Sequence, residues 1–124
     1  MKTLLWLIAG VVILLAAGAG YVRWANADMA DLTRARHAAL PEVRSALLRY
    51  KADKGRFPEQ LELMVPVYIA QVPAAVKTAA GTEAARRIEY AVRGDAASFT
   101  YHVMRGPDSR ETYDVNSGTF QRNR

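Results

Sequence analysis

Nineteen consecutive residues carry no charge, from Leu4 to Val22 (LLWLIAGVVILLAAGAGYV). A helix of that length spans about 28 Å, close to the roughly 30 Å hydrocarbon core of a bilayer. Lys2 precedes the run and Arg23 follows it, while Trp6, Tyr21 and Trp24 lie near its ends, where amphipathic rings favour the headgroup zone. The segment reads as a membrane-spanning helix, with Leu4 and Trp6 at one end and Val22 and Trp24 at the other. The chain thus divides into an anchor at 1–27 and a domain at 28–124.

A cleaved secretory signal is the competing reading, because Ala25-Asn26-Ala27 satisfies the small-x-small rule for cleavage after Ala27. Against it, the apolar run exceeds the usual signal core, and Tyr21, Val22, Arg23 and Trp24 make a bulky approach to the cleavage site. On either reading the chain enters or crosses a membrane.

The roughly one hundred residues that follow are enough for one small domain. From Asp28 onward fifteen Lys/Arg stand against twelve Asp/Glu, a mild and scattered excess that gives little reason to expect a nucleic-acid partner. Cysteine is absent, which excludes disulfides and thiol chemistry. Lys2 stands on one side of the anchor and Arg23, Arg34 and Arg36 on the other. Taken literally, the positive-inside bias keeps the domain cytoplasmic, yet long domains translocate largely regardless of charge.

Asp28 to Lys54 has helical periodicity, with Met29, Leu32, Ala39, Val43, Leu47 and Tyr50 recurring at threes and fours. Asp28 and Asp31 suit an opening turn, and Arg49, Lys51 and Lys54 a closing one. Pro41 predicts a kink or the start of a second segment. Met29, Leu32 and Val43 form a stripe that is expected to meet a partner helix just outside the bilayer. Gly55 stops the helix and Pro58 prevents its resumption.

Between Pro58 and Pro73 the apolar residues, interrupted by Pro66, predict one short helical turn and a packed return. Ala74 to Ala85 is an alanine-rich crossover or short helix. The period then becomes two: Ile88, Tyr90 and Val92 form one strand, and Phe99, Tyr101 and Val103 a second. Thr112 to Val115 and Thr119 to Arg122 supply a third and a fourth short piece. The expected fold is α+β, a transmembrane helix continuing into a long stalk helix packed on a small antiparallel sheet of three to four strands.

The order of anchor, long helix, Tyr50, Gly55-Arg56-Phe57-Pro58, Leu61, Leu63, Pro66, Tyr68-Ile69, Val72-Pro73 and small sheet resembles type IV pilin-like proteins, especially pseudopilins of type II secretion. In that family the aromatic-proline pair after a glycine ends the stalk helix, and the loop folds back over it. The resemblance implies Tyr50, Gly55, Phe57, Pro58, Pro66 and Pro73 as helix stop and loop. It also implies a domain on the periplasmic side of a bacterial cytoplasmic membrane, with secretion or pilus proteins as partners. The chain departs from the family in the prepilin leader and in the glutamate near the start of the apolar run, since no acidic residue precedes Asp28. Self-polymerisation into a filament is therefore not expected.

No catalytic residue, cofactor, metal or small-molecule substrate is expected. The two histidines, His37 and His102, pair with no nucleophile at a telling spacing, although Ser98 and His102 share a strand face by parity. Asp108, Asp114 and Asn116 read as turn residues rather than calcium ligands. Arg86, Arg87, Arg93, Arg105, Arg110, Arg122 and Arg124 lie among Tyr90, Phe99, Tyr101 and Tyr113, a mixture that can bind single-stranded nucleic acid or anionic lipid. The interspersed Glu89, Asp95, Glu111 and Asp114 oppose that use.

Overall fold

The fold comes from a computed structural model, which describes residues 1–123. One helix, α1, runs from Lys2 to Lys54, 53 residues and about 80 Å long. Asp28 and Asp31 therefore lie inside a helix instead of opening one. Nothing in the sequence interrupts the ladder between Val22 and Met29, and Asn26 Nδ2 adds a bond to the Val22 carbonyl at 3.1 Å. Pro41 likewise starts no second segment, because its ring lies on the exposed side of α1 and only one amide donor is lost.

α1 ends where expected. Gly55 adopts φ +80°, its N–H donates to the Lys51 carbonyl at 2.8 Å, and Lys51 and Lys54 occupy the last turn. Beyond it Phe57 and Pro58 are buried. The Lys51 ammonium sits 4.7 Å above the Phe57 ring, and the Tyr90 hydroxyl donates to the Pro58 carbonyl at 2.7 Å. A 3-10 turn at Leu61–Met64 buries Leu61 and Met64, while Leu63, Pro66 and Val67 face solvent. The returning chain is tied to α1 through Arg49, which donates to the Tyr68 carbonyl, and through Tyr68, which donates to Asp53 and meets Tyr50 edge-on. Pro73 leads into a second 3-10 turn at Ala74–Val76, and a third spans Ala84–Arg86.

Four strands follow: β1 (Ile88–Arg93), β2 (Ala96–His102), β3 (Arg110–Asp114) and β4 (Thr119–Arg122), in a purely antiparallel meander. The alternation in β1 to β3 turns Ile88, Ala97, Phe99, Tyr101, Glu111 and Tyr113 inward. Their register aligns Tyr90, Phe99, Tyr113 and Phe120 as one aromatic row across all four strands, which ends with Phe120 4.1 Å from the His37 ring on α1. Leu40, Val43, Ala46 and Leu47 of α1 share a core with these residues. The result is α+β, one long helix packed on a four-strand antiparallel sheet, an architecture that is pilin-like.

Burial changes the reading of the helical stripe. Met29 is 0% and Val43 1% exposed, and Leu32 is partly covered, so the stripe expected to meet a partner faces the chain's own fold. Periodicity reveals that a face is buried but not by what, and here the domain extends along α1 far enough to cover it. Gly55→Val should lower the unfolding free energy of the full chain in detergent by about 1–2 kcal/mol, and Gly55→Ala by less, because a β-branched residue strains at positive φ. Denaturant titration reads the difference.

Candidate functional site

The most concentrated polar cluster lies where α1 enters the folded domain. Arg105, in the connection between β2 and β3, reaches back to the helix. Its guanidinium bonds both carboxylate oxygens of Asp28 at 2.8 and 2.9 Å and both of Glu83 at 2.8 and 3.0 Å. It also donates to the Ala25 carbonyl, while the Arg105 amide donates to Asn26 Oδ1 at 2.9 Å. Arg86 completes the group with a 2.6 Å contact to Asp28. All five guanidinium N–H groups of Arg105 are thus engaged. Two acids face two arginines, so the cluster is locally neutral.

The electrostatics follow from that geometry. The Arg105 guanidinium holds the Asp28 carboxyl below its ordinary range, against the opposing effect of desolvation and with help from Arg86. It lowers Glu83 in the same way. Arg105 is raised in turn by Glu83 and then Asp28. A cleft of about 490 Å³ opens beside the cluster, lined by Tyr21, Trp24, Ala25, Ala27, Asp28 and Arg105.

A second group is deeper. Arg36 is 1% exposed, donates to the Ala75 carbonyl at 3.0 Å and the Arg86 carbonyl at 2.6 Å, and lies 5.0 Å from the Tyr101 ring centre. Burial pulls its pKa down to about 10, which leaves it charged at neutral pH. The Tyr101 hydroxyl donates to Glu111 at 2.6 Å, and His37 Nε2 lies 2.5 Å from the same Glu111 oxygen. Burial, followed by that carboxylate, pushes the Tyr101 phenol well above its usual value. These bonds satisfy a buried acid and carry α1 onto β2 and β3.

The apolar segment lies outside the fold. Leu4, Trp6, Val22 and Trp24 are all exposed, Trp6 at 79%, and the most apolar stretch of α1 buries none of its residues. At the opposite end of the domain Gly55, Phe57 and Pro58 follow the last turn of α1, Tyr50 packs against the core that contains Phe57, and Pro66 and Pro73 bracket the return loop. Ser98 and His102 form no dyad, since His102 Nδ1 lies 3.3 Å from Ser109 Oγ instead. Asp114 and Asn116 do turn work: Asp114 accepts from the Asn116 amide and the Ser117 hydroxyl. Among the described residues no group of three or more His, Asp or Glu is placed to hold a metal ion. Arg86 and Arg105 are committed to ion pairs, and Arg124 lies outside the described residues.

Sequence reasoning missed this cluster because Arg105 and Asp28 are 77 positions apart and share no periodic pattern. Arg36 did leave a signal, since it stands seven residues from both Met29 and Val43, in line with the buried face. Glu111 left another through its parity with Tyr113. Comparison with family models, characterised proteins and solved structures gives no match to this chain.

Because the Asp28 and Glu83 carboxyls titrate lower in the fold than in the unfolded chain, the unfolded chain takes up their protons first as pH falls. Their contribution should be complete above the ordinary values of 3.8 and 4.5 and disappear as pH drops through the lowered ones. Thermal melts of the full chain should show this acid loss, and Arg105→Met should flatten it. Arg36→Met strands two carbonyls and should cost about 1–3 kcal/mol by denaturant titration.

Proposed function

We propose that the protein is a single-pass, non-enzymatic component of a secretion or pilus-type envelope assembly, held in a bacterial cytoplasmic membrane with its domain on the periplasmic side. One observation carries the reading: the same unbroken helix that supplies the domain's core leaves residues 4–22 entirely outside it, with Leu14 73% exposed. Nineteen uncharged residues on a rigid extension would be costly in water and are the right length for a bilayer. The pilin-like architecture supports the periplasmic placement and the class of partner. Cleavage after Ala27 would remove both Ala25 and Asn26, which bond Arg105, and this favours a retained segment.

With Met29 and Val43 inside the fold, partner contacts fall to the membrane segment and to the outward side of α1. That outward side carries Ala30, Arg34, Ala38 and Glu42. Nucleic acid and small molecules have no part in this reading.

The natural protein should retain its first residues and stay with membranes after alkaline extraction. A mature chain beginning at Asp28 in the soluble fraction would overturn the proposal. Photocrosslinkers at Ile8 or Leu15 in intact cells should capture another membrane protein, whereas one at Asn116 should not. Homogeneous filaments built from this chain alone would count against an accessory role.

A further inference from the structure

The connection between β2 and β3, residues 103–109, is fastened to α1 where the helix leaves its apolar segment. The anchoring atoms are the Ala25 carbonyl and the Asn26 side chain, both bonded by Arg105. Ala25 lies three residues beyond Val22, about 4.5 Å along the helix axis. Each headgroup layer is about 5–7 Å deep, half the difference between full and hydrocarbon thickness. With Leu4 to Val22 in the bilayer, the backbone of Arg105 therefore lies at headgroup depth, and so do its chain neighbours Met104 and Gly106.

The chemistry of this corner agrees with its position. Met104 is 50% exposed, an apolar thioether displayed on a loop, and Gly106 and Pro107 beyond it are also exposed. Tyr21 and Trp24 line the adjoining cleft of about 490 Å³. Arg105 has no N–H to spare, and its charge and that of Arg86 are balanced by Asp28 and Glu83. A neutral ion cluster flanked by amphipathic rings and a thioether suits the interfacial zone of a bilayer, and nothing in it selects for anionic lipid.

We propose that the 103–109 loop rests on the phospholipid headgroup layer, with Met104 at interfacial depth, so that the domain is seated on the membrane instead of being raised above it on a bare helix. This rests on the membrane-spanning reading of Leu4 to Val22. The far end of the domain is held away from the bilayer: Val67 adjoins Arg49 and Asp53, about 40 Å along α1 from Val22.

Because the chain has no cysteine, single thiols can be introduced without removing others. The full-length protein carrying bimane at Leu14→Cys, Met104→Cys, Pro107→Cys or Val67→Cys is reconstituted into phosphatidylcholine vesicles with nitroxide at the headgroup or in the acyl chain. Acyl-chain nitroxide should quench Leu14, and headgroup nitroxide should quench Met104 and Pro107 roughly threefold or more above Val67. Quenching at Leu14 with both loop positions at the Val67 level overturns the seating and leaves the span intact. Absence of quenching at Leu14 overturns the span and the seating together.

Discussion

Continuity of the helical hydrogen-bond ladder through residues 22–29 makes the apolar segment and the domain one mechanical object. Had the chain broken there, as an opening turn at Asp28 would require, the domain could swivel on a tether. Instead Met29 is already in the buried face one turn past Ala25, and Arg105 bolts the sheet side to the same stretch. The first turn beyond the apolar run thus belongs to both units, and the placement of loop, cleft and sheet follows from it.

A recurrent device holds the rest to α1: arginine donating to backbone carbonyls. Arg36 takes the Ala75 and Arg86 carbonyls, Arg44 those of Val115 and Asn116, and Arg49 that of Tyr68. Each stitches an irregular segment to the helix at a point where a carbonyl has no ladder partner. The forked guanidinium suits this task better than lysine, because it reaches two acceptors at once. At Arg44 the fit is close enough that a Cβ on Gly118 would come within 3.0 Å of the guanidinium, which would have to shift, and the φ of +70° at Gly118 would itself strain any side chain there. Three of the five arginines on α1 are structural for this reason.

Local chemistry was legible in the sequence and distant pairing was not. Gly55, Phe57 and Pro58 announce a helix end through backbone preference alone, and the parity of Tyr90, Phe99, Tyr101 and Tyr113 announces the inward sheet face. Asp28 misleads because an acid at the edge of an amphipathic pattern is what a helix start looks like, while its true partners come from the 83–105 region. Met29 and Val43 mislead differently: the stripe is real, but one sequence does not reveal whether a sheet or a second protein covers it. The pilin-like architecture could be anticipated because it is built from such local signals in order. The Arg105 cluster could not, because it exists only once the sheet is folded.

The unbroken passage from apolar segment to domain has a further consequence once the bilayer's thickness varies. In a bilayer whose hydrocarbon core is thinner than the roughly 28 Å covered by residues 4–22, a span relieves hydrophobic mismatch by tilting. On the membrane-spanning reading, the part of α1 beyond Val22 is a lever of 32 residues, about 48 Å, so each 10° of tilt would carry its far end sideways by about 8 Å. On the proposed seating, the same tilt would press the Met104 corner into the headgroups in one direction and lift it in the other, which would make the two directions unequal in energy. Bilayer thickness would then be expressed as the azimuth and height of the sheet.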